Sequence, residues 1–171
     1  MANTFSVAAL DSSSDRSSFE SGVEPLDRYF RTQVSQDIKR RVTACFVASD
    51  AKGKIAGYYT LASASVLLAD LPEAVVKELP RYPSVPAVRM GRLAVDQAFK
   101  GKGLGAALLA DALRRAATAE IAAYAFVVDA KDETAAAFYA HHGFIPLPEQ
   151  PLTMFIPLAT VRELITRDQI N

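Results

Sequence analysis

Hydrophobic and polar positions along the chain follow two periods, which predict strands interleaved with helices. Short apolar runs bounded by turn residues predict strands, and apolar residues that recur every three or four positions predict helices. The predicted strands cover residues 5–9, 43–49, 55–66, 87–95, 122–130 and 154–158. The predicted helices cover residues 24–37, 72–78, 104–118, 133–141 and 159–167. Strands and helices in alternation around a central sheet indicate an α/β layered fold.

The segment between the strand at 87–95 and the helix at 104–118 carries the clearest chemistry. It contains three glycines and two lysines in the run Lys100-Gly101-Lys102-Gly103-Leu104-Gly105. Glycines allow tight backbone turns and close approach to a ligand, and the first turn of the next helix presents unpaired amides and a positive dipole end. The segment therefore predicts a site for a phosphorylated ligand near Gly103. The alternative, in which the glycines only cap a strand and start a helix, is less favoured.

Three better-known phosphate motifs do not fit this segment. A P-loop needs a Ser or Thr directly after its lysine, and none follows here. A Rossmann dinucleotide motif belongs early in a βαβ unit, whereas this turn lies past the middle of the chain. A protein kinase needs a catalytic-loop motif, which the sequence lacks.

Composition predicts one globular domain spanning residues 1–171. Half of the residues are apolar, and 22% are charged, which is typical of a packed domain rather than a disordered chain. The single cysteine, Cys45, excludes an internal disulfide and suits a reducing compartment. The first residues lack the pattern of a secretory signal, and no apolar run has the length of a membrane span. We therefore expect a cytoplasmic protein with no membrane association.

Charge alone gives little support for a nucleic-acid ligand. The formal net charge is zero, whereas nucleic-acid-binding domains are usually basic. The basic residues are nevertheless clustered, and clusters matter more than totals. One cluster contains Arg28, Arg31, Lys39, Arg40 and Arg41, and the other contains Arg81, Arg89 and Arg92. For any single one of these residues, solvated surface charge is the favoured interpretation.

The glycine-rich segment resembles the acetyl-CoA pyrophosphate loop of the GNAT acetyltransferase superfamily, Gln/Arg-x-x-Gly-x-Gly/Ala, with Lys100 in place of Gln or Arg. A second segment, from Asp132 to Phe144, resembles the family's Asn-x-x-Ala-x-x-Phe-Tyr-x-x-x-Gly-Phe pattern, with Asp132 in place of Asn. The resemblance implies a GNAT fold, a mixed sheet that splays at the cofactor site and is flanked by helices. It implies acetyl-CoA as the acetyl donor and no metal. The cofactor-binding residues that it implies are Leu93, Ala94, Val95, Lys100, Gly101, Lys102, Gly103, Leu104, Gly105, Ala106, Asp132 and Phe138.

A narrower resemblance covers nearly the whole chain. Its main segments are Gly57-Tyr58-Tyr59-Thr60-Leu61, Gly91-Arg92-Leu93-Ala94-Val95-Asp96 and the closing Met154-Phe155-Ile156-Pro157-Leu158. Together with the two motifs above, they resemble the GNAT toxins of bacterial toxin–antitoxin pairs. The resemblance implies acetylation of the α-amine of aminoacyl-tRNA, which stops translation, and a small ribbon-helix-helix antitoxin as partner. GNAT proteins commonly form dimers, so the resemblance allows a homodimer, whereas the sequence itself does not give the oligomeric state.

Tyr139 is the predicted catalytic residue. When an amine attacks the thioester of acetyl-CoA, the sulfur leaves with negative charge, and a neighbouring phenol can donate a proton to it. Without its flanking motif, Tyr139 would be interpreted as a core aromatic residue beside Phe138 and Phe144. With the motif, a catalytic role is the favoured interpretation. Arg89 and Arg92 are the predicted substrate-binding residues, since a tRNA acceptor stem needs cations near the cofactor.

The other reactive side chains are expected to have structural rather than catalytic roles. His141 and His142 lie at a predicted helix end, where positive charge suits the dipole. Cys45 lies in an apolar strand and is expected to pack as a small hydrophobe, and Asp96 and Asp132 are expected to shape turns. No motif places a general base. That fits an α-amine acceptor, with a pKa near ~7.7–8.0, better than a lysine, with a pKa near ~10.4.

Two further functions stay open on the sequence. The same fold could acetylate a small amine, an antibiotic or a protein N-terminus. Alternatively, the chain could bind acyl-CoA without catalysis and act through a protein partner, although the presence of Tyr139 speaks against this.

Overall fold

Seven strands form one mixed sheet in the order β1-β2-β3-β4-β5-β7-β6 in the computed structural model, which describes residues 4–170. The strands are β1 (Ser6–Ala9), β2 (Ala44–Ser49), β3 (Ile55–Leu67), β4 (Ser84–Val95), β5 (Ala125–Asp129), β6 (Ile145–Leu147) and β7 (Gln150–Pro157). The helices are α1 (Glu24–Thr32), α2 (Val34–Lys39), α3 (Glu73–Val76), α4 (Leu104–Thr118), α5 (Glu133–His141) and α6 (Leu158–Ile170), with short 3-10 turns at Leu68–Asp70 and Gln97–Phe99. The predicted α/β layered fold is confirmed.

The described residues divide into two compact units. Unit 1 contains the residues up to Ala62 together with Gly91–Ala112, and unit 2 contains Ser63–Met90 together with the residues from Leu113 onward. Strands β3 and β4 contribute to both units.

Unit 1 is built on an antiparallel run of β1, β2 and β3, in which Cys45 lies opposite Thr60. Aromatic rings fill its core because these strands present large side chains to α1. The rings of Phe30 and Tyr58 stack with their centres 4.2 Å apart, and Phe19 meets Tyr58 edge-on at 5.5 Å. These three residues are almost completely buried.

The close packing of α4 in unit 1 depends on a glycine in β3. A Cβ atom at Gly57 would lie 2.8 Å from Leu108 Cδ1 and 2.9 Å from the carbonyl oxygen of Ala94. Both separations are shorter than van der Waals contact, so any larger residue would force the helix or the edge of β4 to move.

Unit 2 combines parallel and antiparallel pairing. Residues Ala87–Met90 of β4 run parallel to Ala125–Val128 of β5, and β7 pairs antiparallel with both β5 and β6. The four residues Ala125–Val128 are at most 1% exposed, as expected for a central strand that is covered on both faces.

Several details of the predicted elements are wrong, and one is the last strand, which starts at Gln150 rather than at residue 154. The predicted helix at 24–37 is two helices, because the backbone at Gln33 leaves helical geometry with φ −123°. Strand β4 starts at Ser84, so that Pro86 lies inside it, where its carbonyl accepts from Tyr124 N at 2.8 Å. Strand β5 is shorter than predicted and starts at Ala125, and β6 was not predicted at all.

Among the described residues, no helix has the length and apolar character to cross a bilayer.

Candidate active site

The glycine-rich loop of unit 1 turns through two left-handed residues. Gly101 has φ 79° and Gly103 has φ 77°, a conformation that side chains with a Cβ rarely adopt. Helix α4 begins directly afterwards at Leu104, and Ala107 N donates to the carbonyl of Gly103 at 3.1 Å. The amides of the first helical turn have no acceptor within their own helix. Loop and helix therefore have the geometry that the sequence predicts for a phosphate site.

Asp96 holds the entrance to this loop. Its side chain is 4% exposed, accepts from Ala98 N at 2.9 Å and accepts from Glu20 N at 3.0 Å. The first bond caps the turn Gln97–Phe99, and the second ties that turn to the N-terminal segment. The prediction that Asp96 shapes a turn is confirmed.

Three lysines lie at or beside the loop, and they have different surroundings. Lys100 Nζ donates to the carbonyl of Ser21 at 2.6 Å, so this ammonium anchors the loop. Lys102 Nζ lies 5.6 Å from the centre of the Phe99 ring, and Lys54 Nζ lies 5.7 Å from the same ring. Two cations thus gather at Phe99. The sequence pattern does not reveal Lys54, because this residue belongs to a distant turn between β2 and β3.

The strand segment Leu93–Val95 leads into the loop. Ala94 is buried in the aromatic core of unit 1, and Leu93 and Val95 are half-buried. The next amide, that of Asp96, donates to Ala56 O at 2.8 Å, which fixes the end of β4 to β3. The predicted role of Leu93, Ala94 and Val95 in pairing with a cofactor through their backbone stays a prediction.

Arg92 lies one residue before that segment and is held by a ring. Its guanidinium carbon is 3.4 Å from the centre of the Tyr29 ring, a close cation–π contact. Tyr29 in turn donates its hydroxyl to Asp37 at 2.7 Å. Burial, and then the bond to Asp37, raises the pKa of Tyr29, while the charge of Arg92 opposes the shift. The guanidinium therefore rests on a neutral phenol that Asp37 keeps in place.

Tyr139 lies on α5 of unit 2, among aromatic rings. It is 9% exposed, and its ring centre is 5.2 Å from that of Phe138 and 5.5 Å from that of Phe144. Burial raises the pKa of Tyr139 to about 12, and the negative charge of Asp129 adds to the shift. The hydroxyl is therefore fully protonated at neutral pH, which is the state that a proton donor requires.

The helix that carries Tyr139 has a defined start and end. Asp132 caps it by accepting from Ala135 N at 2.8 Å, which confirms the turn-shaping role predicted for Asp132. His141 and His142 end the helix, as predicted, and the ring of His142 meets Phe138 edge-on at 4.8 Å. The cofactor-binding roles predicted for Asp132 and Phe138 stay predictions.

An ion pair with a hydrogen-bonded neighbour spans three strands of unit 2. Arg89 Nη1 on β4 donates to Asp129 Oδ2 at the end of β5, and Thr153 Oγ1 on β7 donates to Asp129 Oδ1 at 2.9 Å. The charge of Arg89 is thus matched by a carboxylate rather than left for a substrate. The sequence pattern predicts no role for Asp129 or Thr153, since polar residues at exposed strand ends are common.

The buried thiol of Cys45 is not a nucleophile. It is 3% exposed, and burial raises its pKa to about 12, so the reactive thiolate is scarce at neutral pH. No three His, Cys, Asp or Glu side chains in the described part of the chain group together as a metal site.

The predicted site residues therefore fall into two sets. Unit 1 contains Arg92, Leu93–Val95 and the loop from Lys100 to Ala106, and unit 2 contains Arg89, Asp132, Phe138 and Tyr139. A match to the acetyltransferase (GNAT) domain family runs through both sets, from residue 15 to residue 154. The chain belongs to the GNAT acetyltransferase family.

Two relatives within the GNAT family are named as toxins. A tRNA-acetylating toxin of Mycobacterium tuberculosis is 37% identical over 158 residues, covering 91% of this chain and 93% of the relative. A "Probable toxin TacT" of Sinorhizobium fredii is 33% identical over 161 residues, covering 88% and 89%. The predicted resemblance to GNAT toxins is confirmed.

Solved structures give the same result. AtaT complexed with acetyl-methionyl-tRNAfMet superposes with a TM-score of 0.87 at 29% identity, covering 95% of this chain and 99% of AtaT. AtaTR bound with acetyl-CoA superposes with a TM-score of 0.81 at 27% identity, covering 96% and 99%. The GNAT fold predicted from the two motifs is confirmed.

Proposed function

We propose that this protein is an acetyl-CoA-dependent N-acetyltransferase that acetylates the α-amine of aminoacyl-tRNA and thereby blocks translation. The likeness to AtaT, over 95% of the chain and in a complex with acetylated methionyl-tRNA, carries this proposal. The curated relative that is 37% identical is named for the same reaction.

Acetyl-CoA suits the loop of unit 1 on physical grounds. The left-handed glycines Gly101 and Gly103 expose backbone amides, and the start of α4 adds the positive end of a helix dipole. Lys102 and Lys54 add two ammonium groups beside the loop. We assign the pyrophosphate to this loop, from Lys100 to Ala106, and the pantetheine arm to the backbone of Leu93, Ala94 and Val95.

Tyr139 supplies the proton in the proposed reaction. The neutral α-amine attacks the acetyl carbon of the thioester, the C–N bond forms and the C–S bond breaks. The phenol gives its proton to the departing sulfur, and the amine releases one proton, which restores the phenol through solvent. Because the pKa of Tyr139 is raised to about 12, the proton is present at every physiological pH.

An α-amine acceptor needs little help with its own proton. Its pKa near ~7.7–8.0 leaves a useful neutral fraction at pH 7.5, whereas a lysine with a pKa near ~10.4 would need a base. Arg92, stacked on Tyr29, is the cation that we assign to the acceptor end of the tRNA. Arg89 has the weaker claim, because Asp129 already pairs with it.

Cell-free protein synthesis tests the function. Wild-type protein should stop synthesis only when acetyl-CoA is present, and Tyr139→Phe should be much weaker. Tyr124→Phe is the control, since Tyr124 is a half-buried tyrosine of unit 2, and it should act as wild type. Acetyl-CoA binding without inhibition would exclude the tRNA reaction and favour a small amine or a protein N-terminus as acceptor. Inhibition that Tyr139→Phe leaves unchanged would favour a non-catalytic acyl-CoA-binding protein.

The partners and location follow from the same proposal. Solved relatives include AtaT bound to the C-terminus of the antitoxin AtaR. We propose a ribbon-helix-helix antitoxin for this chain, a homodimeric toxin and a cytoplasmic location, where charged tRNA is found. We also propose that units 1 and 2 belong to one domain, because a single family match runs through residues of both.

A further inference from the structure

The turn after α2 contains a left-handed backbone conformation at a residue that is not glycine. Arg41 has φ 59°, and no other non-glycine residue among residues 4–170 has a positive φ. The remaining positive values belong to the glycines Gly22, Gly53, Gly101, Gly103 and Gly143. Elsewhere in the described chain, then, a left-handed residue is a glycine, and here it is an arginine.

The hydrogen bonds show why this position is left-handed. Arg41 N donates to Ile38 O at 3.0 Å, and Val42 N donates to Asp37 O at 3.0 Å. This pair of bonds is the Schellman motif that ends many helices, and its left-handed residue is usually glycine. An L-residue with a Cβ is strained there. Strained backbone positions of this kind are concentrated at functional sites, so the strain at Arg41 favours a functional role for its side chain.

The side chains of this turn are cations that form no ion pair with a carboxylate among residues 4–168. Lys39, Arg40 and Arg41, which we call the basic turn, are exposed. The ion pairs Arg28–Glu24 and Arg89–Asp129 do not include the basic turn. The two other arginines of the first predicted cluster are engaged. Arg28 pairs with Glu24, and Arg31 donates to Phe19 O at 2.6 Å.

Helix capping accounts for only part of this arrangement. Cations near a helix C-terminus interact favourably with its dipole, which explains Lys39 and Arg40. It does not explain why the left-handed position holds arginine, since glycine would end the helix at lower cost.

A continuous set of contacts connects the basic turn with Arg92 inside unit 1. The carbonyl of Asp37 accepts from Val42 N, the carboxylate of Asp37 accepts from the Tyr29 hydroxyl, and the Tyr29 ring lies under Arg92. Arg92 precedes the strand segment to which we assign the pantetheine arm. Buried Tyr29 therefore contacts Arg92 through its ring and, through its hydroxyl, contacts Asp37 just before the basic turn.

We propose that the basic turn binds the phosphate backbone of the substrate tRNA. The inference rests on the proposed function and adds a contact surface to it. Guanidinium groups bind phosphates through two parallel hydrogen bonds, and unpaired cations bind nucleic acid by releasing its counterions. Arg92 would then meet the acceptor end while the basic turn holds the stem.

Arg41→Gly separates this role from a structural one. Glycine relieves the left-handed strain, so the melting temperature should rise by about 2–4 °C. The KM for aminoacyl-tRNA should increase several-fold with kcat and acetyl-CoA affinity unchanged. The slope of log(kcat/KM) against log[salt] should become shallower by about 1, as expected for one lost phosphate contact. A purely structural residue would not move the salt dependence.

Three further variants complete the design. Arg41→Lys keeps the charge and should retain most of the affinity, and Lys39→Gln with Arg40→Gln should weaken binding without the gain in stability. Arg114→Gln removes an exposed charge on α4 and should match wild type. If Arg41→Gly folds poorly, Arg41→Asn replaces it, since asparagine tolerates the left-handed conformation.

The proposal is overturned if Arg41→Gly melts higher yet keeps the wild-type KM and salt slope. It is also overturned if the variants lose only antitoxin neutralisation, which would assign the basic turn to a protein partner. Fluorescence anisotropy with uncharged tRNA tests the contact separately from catalysis. If wild-type protein acetylates no charged tRNA, the proposed function fails, whereas the anisotropy measurement still decides the role of the basic turn.

Discussion

Replacing Gly57 by alanine should damage stability and acetyl-CoA binding together. The added Cβ would lie 2.8 Å from Leu108 Cδ1 and 2.9 Å from the Ala94 carbonyl oxygen. The leucine methyl can rotate away, but the carbonyl belongs to the backbone of β4 and can move only with the strand. Overpacking of this kind costs about 1–3 kcal/mol, which corresponds to about 2–4 °C in melting temperature for each kcal/mol in a chain of this length.

The effect on the ligand follows from which carbonyl moves. Ala94 lies in the segment to which we assign the pantetheine arm, so displacing it should also raise the Kd for acetyl-CoA by several-fold. Thermal unfolding followed by circular dichroism, and calorimetry with acetyl-CoA, measure the two effects.

Gly53→Ala is the control for this prediction. Gly53, unlike Gly57, has a positive φ of 82°, and no atom lies within 4 Å of an added Cβ. It should therefore lose about 1 kcal/mol through backbone strain and keep the wild-type affinity for acetyl-CoA. A Gly57→Ala variant with wild-type stability and Kd would refute the argument that Gly57 is required for close packing of β3, β4 and α4.

Four further predictions follow from the structure. The pH profile of kcat/KM should rise with its midpoint at pH ~7.7–8.0, as the α-amine loses its proton, and reach a plateau about one pH unit higher. It should show no basic limb below about pH 10, because the pKa of Tyr139 is raised to about 12. Asp129→Asn removes a charge that raises the pKa of Tyr139, so any basic limb should move to lower pH, whereas an unchanged profile would show that Asp129 does not act on the phenol. Cys45→Ala should lower the free energy of unfolding by about 1–2 kcal/mol through lost packing and leave kcat unchanged. A loss of kcat would instead indicate a covalent acetyl-cysteine intermediate. Calorimetric unfolding should show one cooperative transition, as expected if units 1 and 2 form one domain, and two resolved transitions would contradict that proposal.

The local sequence is sufficient to predict the bounds of a helix where one local signal, such as an apolar stripe or a capping residue, dominates. Helix α4 matches its predicted bounds because its apolar stripe is regular and glycines precede it, and α5 matches because Asp132 and Gly143 mark its ends. The break at Gln33 and the strand β6 were missed, since neither has a glycine or a hydrophobic period to reveal it.

The predicted site shows the same limit. The loop from Lys100 to Gly105 is contiguous in sequence, so its glycine pattern could be interpreted directly. The contacts that shape the surroundings are long-range. Lys54 meets Phe99 across a turn, Tyr29 supports Arg92 from another element, and Asp129 pairs with Arg89 across strands. Such pairs depend on strand order and register, which no local pattern contains.

The central claim is the transfer of an acetyl group to the α-amine of aminoacyl-tRNA, and mass spectrometry of charged tRNA tests it most directly. A pool of aminoacyl-tRNAs would be incubated with acetyl-CoA and either wild-type protein or Tyr139→Phe. After nuclease digestion, the masses of the aminoacyl-adenosine fragments would be measured. We predict a mass increase of one acetyl group on the α-amine of at least one aminoacyl species with wild-type protein, and far less with the variant. Unmodified aminoacyl-tRNA, in a reaction where the wild-type protein demonstrably binds acetyl-CoA, would contradict the claim.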